Sequence, residues 1–135
     1  MIMQHTTRLK DVLERLKSAL DAIQQATGQA FAATAQYGSV TTCPTNLGTG
    51  MRASVHLKLP NLVGPDGSID QIKALAAPLG LAVRGFGGEH TPVGADGTVD
   101  ISPKARLCVT EGEIVSRLHF GIGQLIEAHK NRAPS

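Results

Sequence analysis

The sequence predicts an α+β domain in which helices pack on one side of a mainly antiparallel sheet, with the order α-β-β-α-β-β-α. In two long segments, apolar residues recur at three- and four-residue steps, which is typical of amphipathic helices. Between these segments, a shorter stretch alternates apolar and polar residues, as a strand with one buried face does. The 135 residues suit one hydrophobic core and show no break in composition, so we expect a single domain over residues 1–135.

The first predicted helix covers residues 6–27. Thr6 or Thr7 is a suitable N-terminal cap, and Gly28 is a suitable end because glycine readily adopts the left-handed conformation that closes a helix. The apolar positions share one face, and they are Leu9, Val12, Leu13, Leu16, Leu20 and Ile23.

Two further helices are predicted after the first strands. One covers residues 69–78, begins at Ser68 or Asp70 and ends near Pro78 and Gly80. The last helix opens with a capping box over residues 110–113 and runs to about Lys130.

The strands are identified by β-forming residues and by alternation. In residues 52–59, one side carries Arg52, His56 and other polar residues, while the other side is apolar. Arg84 lies in a second such segment. A polar sheet face usually meets solvent, yet arginines and a histidine beside Gly-rich loops also suit an anion site. The predicted strands cover residues 37–43, 52–59, 81–86 and 98–102, with loops over 44–50 and 87–97.

Composition excludes several functional classes. The net charge of +2 and the low aromatic content argue against nucleic acid as a partner. No apolar run approaches the ~18 residues of a membrane span, and the N-terminus lacks a signal layout, so we expect a cytoplasmic protein that binds no membrane. The five His and two Cys lack the spacing of metal ligands, so we predict no metal site.

Cys43 is the first candidate for chemistry. It lies at the end of a predicted strand and is followed by Pro44 and Thr45, so that loop amides, a hydroxyl and nearby arginines would favour a thiolate. A buried, inert cysteine is the more frequent alternative for any lone Cys. Arg52 and Arg84 suit phosphate binding through their planar guanidinium groups, but surface ion pairing is the ordinary alternative. From spacing alone, His56 and Glu89 are an ordinary strand histidine and an ordinary loop carboxylate.

Three segments together resemble the phosphagen kinases, the ATP:guanidino phosphotransferase family. The run Thr-Cys-Pro-Thr-Asn-Leu-Gly-Thr-Gly-Met-Arg-Ala-Ser-Val-His over residues 42–56 is similar to the family's reactive-cysteine segment. Residues 84–91, Arg-Gly-Phe-Gly-Gly-Glu-His-Thr, resemble its substrate loop, and residues 99–102 followed by Arg106 resemble a later strand and turn. The resemblance extends from about residue 8 to residue 130 in the right order.

The resemblance implies transfer of the γ-phosphoryl group of ATP to a guanidino nitrogen, with Mg²⁺ held mainly by the nucleotide and with ADP as product. It implies that Cys43 and Glu89 are catalytic, with Glu89 holding the guanidinium. The loop around Glu89 and the Thr after Cys-Pro are most like those of arginine kinases, so arginine is the expected acceptor. The implied nucleotide-binding residues are Arg52, His56, Arg84, Gly85, Gly88 and Asp100.

Family members also carry elements for which this chain has no match. These are an N-terminal helical domain, an Arg-rich phosphate motif and a loop with the main catalytic carboxylate. We therefore expect the isolated chain to be inactive, and we expect self-association through the surface left by the absent domain. Two alternatives stay open: a non-catalytic nucleotide-binding or regulatory module derived from the family, and a protein-arginine kinase-like enzyme, which Gly50 fits.

Overall fold

The computed structural model describes residues 1–85 and 96–132. It contains three α-helices and two small antiparallel sheets, which confirms the α+β class. The order is α-β-β-β-α-β-β-α, so the predicted order was wrong by one strand. The elements are α1 (Leu9–Thr27), β1 (Ala33–Thr34), β2 (Gly38–Ser39), β3 (Val55–Lys58), α2 (Asp70–Ala76), β4 (Leu81–Gly85), β5 (Thr98–Pro103) and α3 (Glu111–Asn131).

The larger sheet has the strand order β3-β5-β4, and both pairings are antiparallel. The last strand in sequence therefore lies in the centre, with one earlier strand on each side. Ile101 of β5 pairs with Val55 on one side and with Val83 on the other. Because paired residues point to the same face, these three apolar side chains lie side by side.

The core lies between this apolar face and two helices. Ile72 and Ala76 of α2 and Leu118 and Leu125 of α3 are almost completely buried against it. The opposite, open face of the sheet carries polar side chains, of which those of His56 and Lys58 are exposed, while α2 and α3 pack on the apolar side as predicted. Helix α1 contacts α3 and has no buried residue in the described part of the chain. The remaining core residues are Leu59, Leu62, Leu81, Val83, Val99 and Ile101.

The strand predicted over residues 37–43 is wrong. Within that range only Gly38 and Ser39 form a strand, and they pair with β1 in a separate two-stranded sheet. The hydroxyl of Thr41 instead donates to the carbonyl of Cys43 at 2.8 Å, a local bond that competes with strand pairing. A 3-10 turn then begins at Pro44, whose ring lacks the N–H that a strand would need.

The helix ends agree better with the sequence. Gly28 closes α1 in the left-handed conformation with φ of 66°, and the capping box at Thr110 and Glu113 is formed, so both predictions are confirmed. The start of α1 differs, because Arg8 is its N-cap residue and the hydroxyl of Thr6 accepts a bond from the Arg8 N–H before the helix begins. None of the helices in residues 1–85 and 96–132 combines the length and the apolar character that a membrane crossing requires.

Candidate functional site

A row of polar side chains crosses the open face of the larger sheet. Asp100 of β5 pairs with His56 of β3 on one side and with Arg84 of β4 on the other. Side chains at paired positions in antiparallel strands have Cβ atoms roughly 4.5–5.5 Å apart on the same face. The alternation of each strand therefore brings three of the predicted nucleotide-binding residues together, although 44 positions separate His56 from Asp100 in the sequence.

Asp100 is the buried centre of this row. It is only 7% exposed, and its Oδ2 accepts a hydrogen bond from the guanidinium of Arg52, which lies just before β3. Its Oδ1 lies 3.6 Å from Nε2 of His56 and accepts no hydrogen bond from any residue that the structure describes. The carboxylate therefore orients Arg52 and lies close to His56, while each of these two side chains stays about 40% accessible.

The charges of the cluster suit an anion. Arg52 and Arg84 carry two permanent positive charges, whereas Asp100 carries one negative charge. Planar guanidinium groups donate in pairs to phosphate oxygens, which is the geometry that a nucleotide requires. Across residues 1–85 and 96–132 there is no group of three or more His, Cys, Asp or Glu side chains that could hold a metal ion.

The remaining predicted residues of this region lie at the end of β4. Gly85 is buried, follows Arg84 in β4 and pairs with the core residue Val99 of β5, so it lies on the apolar side of the sheet. Gly88 and Glu89 lie outside the described residues, so their predicted roles stay predictions.

Cys43 is exposed, which removes the alternative of a buried, inert cysteine. Its predicted place at a strand end is wrong, since it directly precedes the 3-10 turn Pro44–Asn46. Its sulfur lies 3.0 Å from the hydroxyl of Thr45. That hydrogen bond, a second one from the Thr45 backbone and the charge of Arg106 lower the pKa of the Cys43 thiol below its ordinary value. The environment thus favours the thiolate, which is the nucleophilic and charged form.

Arg106 is the residue of this region to which the sequence analysis assigned no role. It follows β5 and lies 61 positions from Thr45, yet its Nη1 donates to the Thr45 carbonyl at 3.2 Å. No periodicity or motif spacing connects two loops that are so far apart. The one local signal in the sequence was Gly48, because the close approach of the two segments requires glycine at that position.

Known proteins resemble this chain over nearly its whole length. Residues 1–132 match the family model described as ATP:guanido phosphotransferase, C-terminal catalytic domain. The chain is 41% identical over 131 residues to lombricine kinase of Eisenia fetida, a match that covers 95% of this chain and 34% of that protein. It is 39% identical over 129 residues to arginine kinase 1 of Drosophila melanogaster, covering 96% and 35%.

Solved structures agree with these matches. A crystal structure of lombricine kinase superposes with a TM-score of 0.74 at 37% identity, covering 90% of this chain and 33% of the other. The duplicated taurocyamine kinase from Schistosoma mansoni, with bound transition state analog components, gives a TM-score of 0.75 at 39% identity and covers 90% and 16%. The chain therefore belongs to the ATP:guanido phosphotransferase family, and it spans about a third of the length of the lombricine and arginine kinases that it matches.

Proposed function

We propose that this member of the phosphagen kinase family binds Mg-ATP on the open face of its larger sheet and contributes to phosphoryl transfer onto a guanidino nitrogen. The observation that carries the proposal is the row of His56, Asp100 and Arg84, with Arg52 bonded to the central carboxylate. Arg52 is bonded to the buried carboxylate of Asp100 and Arg84 lies at the paired position of the next strand, so two guanidinium groups on one face are available to bind the phosphates of a nucleotide.

In the proposed reaction, a nitrogen of the guanidino group forms a bond to the γ-phosphorus while the bond from that phosphorus to the bridging oxygen of ADP breaks. The guanidinium loses one proton, and ADP keeps the electron pair of the broken bond. Catalysis of this step depends mainly on alignment and on neutralisation of the charge on the phosphoryl oxygens. Arg52 and Arg84 supply such charge, and Glu89 and the Cys43 thiolate are proposed to hold the guanidinium.

Arginine is the acceptor that we propose. Its support is the Glu-His-Thr sequence of residues 89–91 and the threonine at position 45, which are most like those of arginine kinases. Similar proteins are named for other guanidino compounds, namely lombricine and taurocyamine. These two compounds are therefore the necessary comparisons in any test of acceptor choice.

Titration calorimetry with Mg-ADP tests nucleotide binding. We expect weak, salt-sensitive binding that Arg52→Ala and Arg84→Ala each reduce about 10-fold, because each removes a charged hydrogen-bond donor to phosphate. Arg15→Ala is the matched control, since it removes the same charge from α1, where Arg15 donates a hydrogen bond to Gln4. Unchanged affinity in both sheet variants, or an equal loss in the Arg15 control, would place the nucleotide elsewhere.

A coupled ATP-consumption assay tests turnover. We expect the 135-residue chain to stay far below the ~1–100 per second typical of kinases, because it spans about a third of its relatives and each preorganised contact made elsewhere in those proteins would be worth ~10²–10³ in rate. Arginine-dependent turnover within that range, abolished by Glu89→Gln, would contradict this expectation and would favour a complete site formed by self-association. If Mg-ADP binds but arginine, lombricine and taurocyamine all leave its affinity unchanged, the alternative of a nucleotide-binding module is favoured.

A further inference from the structure

The segment that joins β5 to α3 packs tightly against the turn that carries Cys43. Arg106 makes two bonds across this contact: its Nη1 donates to the carbonyl of Thr45 at 3.2 Å, and its own carbonyl accepts from the N–H of Thr49 at 3.0 Å. Arg106 therefore bonds both to the 3-10 turn that follows Cys43 and to Thr49, which lies just beyond that turn.

Gly48 shows how close the two backbones are. A Cβ at this position would lie 2.3 Å from the carbonyl oxygen of Arg106 and 2.8 Å from Cα of Leu107. Its φ of 110° also lies in the region that side chains rarely adopt. The backbones of the two segments are therefore in direct contact. This close packing limits how far the guanidinium of Arg106 can move.

The position of Arg106 relative to Cys43 follows from these bonds. The carbonyl that Arg106 binds belongs to Thr45, the same residue whose hydroxyl lies 3.0 Å from the sulfur of Cys43. Arg106 is half-buried, and its Nε is buried without a hydrogen-bond partner among the described residues. Its charge is therefore less screened than that of a fully exposed arginine.

We propose that Arg106 is a positioning residue that fixes the Cys43–Thr45 turn and keeps a positive charge beside the Cys43 sulfur. It acts through Thr45 and through its charge. The proposal depends on the proposed function only in treating Cys43 as a residue of the site, and its test needs neither nucleotide nor acceptor. A failure of nucleotide binding and a failure of this proposal are therefore separate results.

The test is the pH dependence of iodoacetamide labelling at Cys43, followed by mass spectrometry of the intact 135-residue chain and its peptides. We expect Arg106→Gln to shift the labelling curve of Cys43 to higher pH and to slow labelling near pH 7 by about 2- to 10-fold. Arg106→Lys keeps the charge and should retain most of the wild-type rate. Lys104→Gln is the matched control, since it removes one exposed charge from the same segment.

A Cys43 labelling curve unchanged in Arg106→Gln would overturn the proposal, as would equal slowing in Lys104→Gln. Circular dichroism shows whether Arg106→Gln folds. If it does not, the wild-type chain supplies the second measurement: the rate at Cys43 near pH 7, relative to free N-acetylcysteine, should fall as ionic strength rises from ~0.01 to ~1 M, because salt screens the arginine charge. A ratio independent of salt would also overturn the proposal.

Discussion

Two glycines in α3 test the packing that supports the site. Gly121 faces the sheet, and a Cβ there would lie 2.3 Å from Cδ1 of Leu81 and 3.2 Å from its Cγ. Leu81 begins β4, the strand that carries Arg84, and is only 1% exposed, so its side chain has little room to move. Gly123 lies on the exposed side of the same helix, and an added Cβ would meet nothing within 4 Å among the described residues.

Alanine at either position gains about 1 kcal/mol, because it replaces glycine inside a helix. At Gly121 the added methyl group also overpacks the core, which typically costs about 1–3 kcal/mol. We therefore expect Gly123→Ala to stabilise the chain by about 1 kcal/mol and Gly121→Ala to leave it unchanged or to destabilise it by up to about 2 kcal/mol. The propensity gain cancels in the comparison, so the two variants should differ by the overpacking cost alone.

Urea unfolding followed by circular dichroism at 222 nm measures this difference. Thermal melts give a second measurement, since the Tm of a chain of this size shifts by about 3–5 °C per kcal/mol. Two variants that shift stability by the same amount in the same direction would refute the reasoning. Such a result would mean that α3 does not press on β4 at Gly121.

Three further predictions concern the loops around the site. We expect Cys43 to react with iodoacetamide faster than Cys108, and equal rates at both cysteines, measured by mass spectrometry, would contradict this. We also expect Thr45→Val to raise the pKa of Cys43 and to move its labelling to higher pH, since the hydrogen bond from the Thr45 hydroxyl is the largest cause of the lowered pKa. Cys108 has a φ of 60°, so Cys108→Gly should stabilise the chain by about 1 kcal/mol in urea unfolding, and a loss of stability would argue against strain there. Thr110→Ala should cost about 1 kcal/mol in the same assay through the lost helix cap, whereas no change would show that the cap is not needed.

Local signals were enough to predict most of the larger sheet and the last helix. The alternation around His56 predicted which residues share a face, and the capping box at Thr110 fixed the start of α3. These features depend on residues that are close to one another in the sequence, and tertiary contacts did not override them. Arg84 was predicted to share its side of the strand with Ala82 and Phe86, and in the structure it pairs with Asp100.

Other features depend on partners that are distant in the sequence. The β-forming residues over 37–43 predicted a strand, but the Thr41 hydroxyl and Pro44 direct the backbone into a turn instead. The bond between Arg106 and Thr45 joins loops whose approach follows from the antiparallel order of the sheet, which periodicity does not reveal. The pairing of Asp100 with both neighbouring strands likewise follows from the order of the strands in the sheet, which periodicity does not reveal.

The central position of β5 also limits how the site can change over evolution. Side chains alternate between the two faces of a strand, so the loss of a single residue within β5 would exchange Asp100 for an apolar neighbour on the open face. The same loss would point the carboxylate of Asp100 into the core between the sheet and α3. Strand ends and the connecting loops can therefore vary in length, whereas the interior of β5 tolerates substitution but not insertion or deletion. The polar face of the sheet and the hydrophobic core therefore depend on the same strand register.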